Sequence, residues 1–161
     1  MNTVALFGAA GKVGARVVDE LRDDSDLELL CVEAGEAGLA ALRDQGLTPT
    51  GQEEAIGRAD TIILAIPDTA IGTVATEIVP QLNSGTMVML LDPAAARAGE
   101  LPEREDVAYF IVHPCHPPFT SEEMTPEARS DYWGGRAKQS IVCALMQGTE
   151  DDYVKGEQLA R

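Results

Sequence analysis

Short apolar runs alternate with amphipathic stretches along this chain, and the alternation predicts strands and helices in turn. Strands are predicted at residues 3–7, 28–32, 60–66, 86–91 and 107–112, with a shorter extended piece at 47–50. Helices are predicted at residues 12–22, 37–45, 52–57 and 70–82. In the last third, residues 122–132 suit a helix, 139–146 mix both signals but favour a strand, and 150–160 predict the start of another helix.

This order of elements predicts the fold class. Strands that alternate with helices form βαβ units, so we expect an α/β fold with a doubly wound, mainly parallel sheet and helices on both faces. In such sheets ligands bind in the crevice outside the carboxyl ends of the strands. Functional residues are therefore expected in the loops that follow the strands.

The first predicted strand runs directly into a glycine-rich turn, because residues 8–14 read GAAGKVG and open the helix predicted at 12–22. Glycines there allow a tight turn and the close approach of a pyrophosphate, and the helix start offers unpaired N–H groups. The pattern predicts a Rossmann-type dinucleotide site, with a purely structural glycine turn as the alternative. The predicted cofactor-binding residues of the turn are Gly8, Ala10, Gly11, Lys12, Val13 and Gly14.

Glu33 follows the second predicted strand, about 20 residues beyond the glycine turn. A carboxylate at this place accepts hydrogen bonds from the adenosine ribose hydroxyls and repels a 2′-phosphate. Residues 34–36 read AGE, so no arginine follows to bind such a phosphate. The sequence therefore favours NAD over NADP as cofactor, and an exposed surface acid is the alternative interpretation of Glu33.

Pro67 and Asp68 come directly after the strand predicted at 60–66. They are predicted to contribute to the cofactor site, with the backbone there lining the nicotinamide ribose. Asp68 also suits the N-cap of the next helix, and the two roles are compatible.

Both histidines of the chain lie in one stretch, since residues 113–118 read HPCHPP. The prolines predict a rigid loop at the ligand-binding edge. Imidazole takes up a proton near neutral pH, so His113 and His116 are candidate catalytic or substrate-contacting residues. They are also candidate ligands of a divalent metal, Zn or Mg, and a structural loop is the third alternative. Asp92 is a candidate to position substrate or His113, or else it forms an Asp-Pro turn.

Composition narrows the range of partners. The 161 residues include 27 acidic and 12 basic ones, a net charge of −15, so neither nucleic acid nor an anionic membrane is an expected partner. The apolar runs are too short to span a bilayer, and three cysteines do not suggest a disulfide framework. No basic segment precedes the first apolar run, so a secretory signal is not expected and the predicted location is the cytoplasm.

Four stretches of the chain carry a family resemblance, and they read VALFGAAGKVGARV, MVMLLDPAAA, VHPCHPPF and DYWGGRAKQSIVCALMQGTEDDYVKGEQLAR. They resemble the N-terminal NAD-binding domain of the D-apionate oxidoisomerase family, which is related to 6-phosphogluconate dehydrogenase-like and ketol-acid reductoisomerase-like enzymes. The resemblance implies that the secondary alcohol of D-apionate, a branched sugar acid, is oxidised by hydride transfer to NAD. An α-ketol rearrangement to 3-oxo-isoapionate would follow, in which a hydroxymethyl group migrates to the new carbonyl carbon.

The resemblance also implies roles for individual residues and for the rest of the protein. His113 and His116 would lie near the substrate, with or without a metal that polarises the ketol oxygens. Members of the family continue into a helical C-terminal domain that closes the active site and builds a homodimer. We therefore expect residues 1–149 to form the NAD-binding domain and 150–161 to begin a connecting helix to a domain absent from this chain, which alone would bind NAD but catalyse poorly. The residues that would hold NAD are Gly8, Gly11, Lys12, Val13, Gly14, Glu33 and Asp68.

Two other functions stay open. One is an NAD-dependent dehydrogenase of another hydroxy acid, with the same hydride transfer and no rearrangement. The other is a non-catalytic module that binds NAD. The two histidines favour an enzyme, because a module that only senses the dinucleotide has no need of imidazoles at the nicotinamide end.

The net charge of −15 leads to a prediction about salt, because it fits either an ordinary acidic enzyme or one adapted to high salt. If the chain is halophilic, its melting temperature should rise across a series of salt concentrations. Salt shortens the screening length to about 3 Å at 1 M and so relieves the repulsion among surface carboxylates. Thermal unfolding from dilute to molar potassium chloride measures this, and a melting temperature that does not rise would eliminate the halophile hypothesis.

Overall fold

The computed structural model describes residues 2–118, 125–130, 137 and 139–161. The strands are β1 (Asn2–Phe7), β2 (Leu27–Val32), β3 (Thr61–Leu64), β4 (Met87–Leu90), β5 (Ala108–Cys115) and β6 (Ser140–Gln147). The helices are α1 (Lys12–Leu21), α2 (Glu36–Asp44), α3 (Gln52–Arg58), α4 (Asp68–Ile78), α5 (Ala94–Ala98), α6 (Pro126–Ser130) and α7 (Glu150–Ala160). A short 3₁₀ helix at Val79–Gln81 extends α4.

These strands form one sheet in the order β2-β1-β3-β4-β5-β6. β1 to β5 pair in parallel and β6 pairs antiparallel with β5, which confirms the predicted mainly parallel sheet. The extended piece predicted at 47–50 adds a bridge beyond β2, where Pro49 pairs in parallel with Cys31. The direction in which strands are added reverses at β1, because β2 lies on one side of it and β3 on the other. Such a reversal opens a crevice at the carboxyl ends of the strands.

Helices cover both faces of the sheet, as the doubly wound class requires. One face packs against α3, α4 and α5, with Ile56 and Ile71 among the buried contacts. The other packs against α1, α2 and α7, with Val18 and Leu42 among the buried residues. Every residue of β3 and β4 is buried, which explains why their sequences TIIL and MVML are apolar without alternation. Among the described residues, no helix is both long and apolar enough to cross a membrane.

The ends of the central strands differ from the prediction. β3 stops at Leu64, where its neighbour β4 also ends, since Leu64 pairs with Leu90. Beyond that point Ala65 still donates its N–H to the Phe7 carbonyl at 2.9 Å on the β1 side, but β4 has ended on the opposite side. The short helix α5 was not predicted, because Asp92 and Pro93 before it indicated only a turn.

β5 is longer than predicted, which corrects the expectation of a loop beginning at His113. The strand continues to Cys115 because β6 pairs beside it after β4 has ended at Leu90. Pro114 is tolerated there since this part of β5 has a strand on one side only, so that not every N–H is needed for the ladder. His113 is therefore held by a strand, and the irregular segment begins at His116.

The last third confirms the predicted strand and final helix. β6 covers Ser140–Gln147, and α7 covers Glu150–Ala160. Of the helix predicted at 122–132, α6 confirms Pro126–Ser130, while residues 122–124 and 131–132 lie outside the described part of the chain.

α7 packs on the same sheet as the other helices, and a glycine sets how close it comes. A Cβ at Gly156 would lie 2.7–2.8 Å from ring atoms of Phe110. The Phe110 and Tyr153 rings meet edge to face, with centroids 5.6 Å apart. A capping box between Thr149 and Asp152 starts the helix. The division of the chain between residues 149 and 150 stays a prediction.

The contact of α7 with the sheet predicts the effect of Gly156→Ala. The added methyl group should push α7 away from Phe110, at a cost of about 1–3 kcal/mol for overpacking. At roughly 2–4 °C per kcal/mol for a chain of this size, thermal unfolding should begin several degrees lower. Gly57→Ala is the matched control, because a Cβ at Gly57 in α3 would meet no atom within 4 Å. Equal melting temperatures for the two variants would contradict this packing.

Candidate functional site

Loops with predicted functional residues meet at the carboxyl edge of the sheet. Because β1 to β5 are parallel, the chain leaves each of them at the same edge. Gly8 follows β1, Glu33 follows β2, Pro67 comes shortly after β3 and Asp92 shortly after β4. His113 lies near the end of β5 at this same edge.

Close backbone contacts in the glycine turn exclude side chains at two positions. Gly8 has a φ of +81°, and a Cβ there would lie 2.4 Å from the carbonyl oxygen of Ala65. A Cβ at Gly14 would lie only 2.0 Å from the carbonyl oxygen of Gly8. The Gly8 N–H also donates to the Val32 carbonyl at 3.0 Å. The turn is thus packed against the end of β2, the segment after β3 and the first turn of α1, where only glycine fits.

The first turn of α1 leaves its backbone amides without side-chain acceptors. Gly11 is the N-cap residue, has no side chain to cap the helix and is exposed, and no acidic residue lies in the first turn. The amides of Lys12, Val13 and Gly14 have no acceptor within α1, because they belong to its first turn and no helical residue lies four positions before them. A helix start of this kind carries partial positive charge and binds anions such as a diphosphate.

Glu33 is fixed beside this turn. Its Oε1 accepts a hydrogen bond from the Ala10 N–H at 2.6 Å, and the residue is half-buried. The structure therefore does not show the freely exposed acid that was the alternative interpretation. Burial, and to a lesser extent the charge of Glu33, raises the pKa of the Cys31 thiol in β2. Contact of Glu33 with an adenosine ribose stays a prediction.

The turn after β3 differs from the predicted N-cap by one residue. α4 begins at Asp68, so Pro67 is the N-cap residue, and no side chain caps the helix. Pro67 has the extended backbone typical of an N-cap, with ψ of 138°. Asp68 instead lies exposed in the first turn, where its charge complements the helix dipole. The role of Pro67 and Asp68 in binding a cofactor stays a prediction.

His113 and Asp92 are close together. The His113 Nδ1 lies 3.2 Å from the Leu91 carbonyl oxygen and 3.8 Å from the Asp92 Oδ2. The other oxygen of Asp92 accepts from the Ala94 N–H at 2.7 Å, so the Asp-Pro turn and the contact with His113 occur together. The side chain of His113 is 47% exposed.

His116 is arranged differently. Its Nδ1 lies 2.7 Å from the Pro117 carbonyl oxygen and its Nε2 lies 3.3 Å from the Ala128 carbonyl oxygen in α6. Both ring nitrogens thus face backbone acceptors. No group of three or more His, Cys, Asp or Glu side chains that could hold a metal occurs among the described residues. The metal site predicted at His113 and His116 stays a prediction, which these contacts do not favour.

Sequence reasoning missed two groups at this edge. The Leu91 carbonyl that faces His113 is a backbone acceptor, and a backbone acceptor leaves no signal in the sequence. Gly38 lies in α2 against Glu33, where a Cβ would come within 2.7 Å of the Glu33 Oε2. A glycine inside a predicted helix is unfavourable and so is a signal that could have been noticed.

The sheet order, the covered faces and the glycine turn define the chain as a Rossmann-type α/β domain. Residues 121–161 match the family model described as phosphogluconate dehydrogenase (decarboxylating), C-terminal. The chain is 51% identical over 98% of its length to a D-apionate oxidoisomerase of Cupriavidus necator, covering 58% of that protein. It is 48% identical over its whole length to a D-apionate oxidoisomerase of Rhizobium rhizogenes, covering 59% of that protein.

A solved structure is similar to this chain in both sequence and fold. It is described as a semialdehyde dehydrogenase NAD-binding protein from Cupriavidus necator in complex with calcium and NAD. Its TM-score is 0.89 at 50% identity, covering 99% of this chain and 58% of the other. The chain is similar to these D-apionate oxidoisomerases over nearly its whole length, and it spans a little under three fifths of the length of the curated relatives named above. Those relatives are named as enzymes.

The contact between His113 and Leu91 predicts the tautomer of the imidazole. A carbonyl only accepts, so the neutral His113 should carry its proton on Nδ1 and leave Nε2 as an acceptor. Long-range ¹H–¹⁵N correlation spectra of the neutral ring distinguish the two tautomers. The spectra of Asp92→Asn should show the same tautomer, because the backbone acceptor remains. A proton on Nε2 in the unsubstituted protein would contradict the assignment.

Proposed function

We propose that this chain forms the NAD-binding part of an oxidoreductase that acts on a branched sugar acid, as a D-apionate oxidoisomerase. The observation that carries the proposal is the arrangement of one sheet edge. The glycine turn at the end of β1 has no room for side chains at Gly8 and Gly14. The carboxylate of Glu33 is fixed at the end of β2, and the imidazole of His113 lies near the end of β5. The names of the relatives supply the substrate, D-apionate.

The residues present fit a dinucleotide. The glycine turn admits no Cβ at Gly8 or Gly14, and the amides that follow are free of side-chain acceptors, so a diphosphate would be held by the backbone of residues 11–14. Glu33 would accept hydrogen bonds from the adenosine ribose and repel a 2′-phosphate, which favours NAD over NADP. Pro67 and Asp68 would line the ribose at the nicotinamide end. NAD, when bound, supplies the hydride acceptor for the oxidation of an alcohol.

His113 is the candidate general base. With its Nδ1 facing the Leu91 carbonyl, its Nε2 is available to take the hydroxyl proton of a secondary alcohol as the carbon loses hydride. Asp92, 3.8 Å from Nδ1, would stabilise the imidazolium that results. His116 is proposed to lie near the substrate, with its ring oriented by backbone carbonyls.

The rearrangement also needs proton transfer but no net change in atoms. One carbon–carbon bond breaks as the hydroxymethyl group moves and another forms at the former carbonyl carbon. The hydroxyl at the migration origin loses its proton, and the former carbonyl oxygen gains one. An imidazole that both accepts and returns a proton near neutral pH suits this exchange. We assign no step of the rearrangement to a metal ion.

Two alternative functions follow from the same geometry. A plain NAD-dependent dehydrogenase of another hydroxy acid would use His113 in the same way. A non-catalytic NAD-binding module would need the glycine turn and Glu33 alone, and the position of His113 beside Asp92 favours an enzyme over it. The homodimer and the cytoplasmic location are further parts of the proposal, drawn from the family resemblance and from the composition.

The proposed reaction predicts reduction of NAD in the presence of D-apionate. The test uses a protein in which this chain is joined to the helical C-terminal domain that the family resemblance implies, because the chain alone is expected to catalyse poorly. Mixing that protein with NAD and D-apionate should raise the absorbance of NADH, and ¹³C NMR should identify the product as 3-oxo-isoapionate. The carbon spectrum is the necessary readout, since the rearranged and unrearranged keto acids are isomers of the same mass. His113→Gln should lower kcat by about 10²–10⁴-fold, the usual contribution of a general base.

The matched control is Gln81→Ala, an exposed change in the 3₁₀ helix Val79–Gln81, which should leave the rate unchanged. NADH formation with an unrearranged product would favour the plain dehydrogenase. Binding of NAD without reduction by any sugar acid would favour the non-catalytic module and contradict the proposal. Full activity in His113→Gln would remove His113 as the base.

A further inference from the structure

Gly38 lies in α2, although glycine does not favour helix formation. It lies in the first turn and a half of Glu36–Asp44, and glycine is among the least favourable residues in a helix. Its φ is not in the left-handed region, so no turn or strained backbone requires it. Its contacts supply another reason for a glycine.

The space beside Gly38 is filled by the carboxylate of Glu33. A Cβ built on Gly38 would lie 2.7 Å from Oε2, 2.9 Å from Cδ and 3.1 Å from Cγ of Glu33. The first two distances are shorter than real Cβ contacts, so one of the two groups would have to move. The helix backbone is fixed by its own hydrogen bonds, whereas a glutamate side chain can rotate. The carboxylate is therefore the group that an alanine would displace.

The carboxylate at this place makes one specific contact. Oε1 accepts the Ala10 N–H of the glycine turn at 2.6 Å, a charge-assisted hydrogen bond. Oε2, the oxygen over Gly38, accepts no hydrogen bond from any residue in the described ranges 2–118, 125–130, 137 and 139–161. Oε1 thus fixes the side chain to the turn, and the lone pairs of Oε2 can accept hydrogen bonds from a ligand.

We infer that Gly38 is a positioning residue for the dinucleotide: its missing side chain lets the Glu33 carboxylate rest on α2, with Oε1 on the Ala10 amide and Oε2 presented to a ribose diol. This inference rests on the proposed binding of NAD. It extends that proposal to a residue outside the glycine turn and outside the loop that carries Glu33. Gly38 acts on the cofactor only through Glu33.

Two arms test the inference, and the first needs no ligand. In ¹⁵N-labelled protein, the Ala10 amide proton should resonate far downfield because of its short bond to a carboxylate. Gly38→Ala should shift it upfield, and Glu33→Ala should do the same. Gly57→Ala, the matched helical glycine with open space around its Cβ, should leave it unchanged. An Ala10 resonance that Gly38→Ala does not move would overturn the positioning role, whether or not the protein binds NAD.

The second arm is a double-mutant cycle in the Kd for NAD, measured by calorimetry. Gly38→Ala should weaken NAD binding by about tenfold, the low end for loss of a hydrogen bond to a charged group. In the Glu33→Ala background the same change should have almost no effect, because the group it acts through is gone. The Kd for NADP should change less than that for NAD, so that the preference between the two falls.

A purely structural role gives a different result. Gly38→Ala would then lower the melting temperature and weaken NAD binding equally with and without the Glu33 carboxylate, and this outcome would overturn the inference. If the unsubstituted protein binds no NAD, the proposed function fails, and the ligand-free arm still decides the role of Gly38. Gly57→Ala controls for the general effect of placing alanine in a helix.

Discussion

The close approach of backbone to backbone around the glycine turn is the constraint on which the site depends. The Gly8 carbonyl lies where a side chain at Gly14 would begin, and Gly8 itself faces the backbone after β3. These contacts bring the start of α1 directly over the end of β1, and no side chain caps that helix start. A side chain at either position would move the helix start away from the sheet edge, and the other loops at that edge would lose their common partner.

The partial positive charge at the start of α1 is opposite in sign to the net charge of the whole chain. The net charge of −15 should disfavour an anionic ligand such as NAD. The screening length is about 8 Å at physiological ionic strength, so distant carboxylates contribute little and the local groups decide. Those local groups are the amides of α1 and the side chain of Lys12, with Glu33 set to one side and already bound to Ala10. The proposed binding of the diphosphate would therefore rely on backbone rather than on a cluster of cationic side chains.

Much of the fold could be predicted from the sequence, because parallel strands buried on both faces are continuous apolar runs. β3 and β4 were placed correctly for that reason, and their ends were set by neighbours that the sequence does not show. β5 was predicted too short because its last residues depend on pairing with β6, a contact with a distant part of the chain. The consequence was functional, since His113 was expected on a loop and lies on a strand.

The candidate site could be predicted in its parts but not in its contacts. Glycine spacing and the place of Glu33 indicated the loops that we propose to bind the cofactor, since those features follow from local chain order. The bond from Ala10 to Glu33 and the carbonyl of Leu91 at His113 join residues far apart in sequence, and one partner in each is backbone. Gly38 is visible in the sequence as an unfavourable residue in a predicted helix. The reason for a glycine there becomes clear only from its contact with Glu33 in the structure.

The most direct test of this account follows the amides at the start of α1 while NAD is added. In ¹⁵N-labelled protein, the amide resonances of Lys12, Val13 and Gly14 should move together and saturate with the same Kd as the Ala10 amide beside Glu33. Resonances of the exposed residues of α3 should stay in place. Saturable binding of NAD that leaves the α1 amides unmoved, or no binding at all, would contradict the claim that this helix start holds the diphosphate.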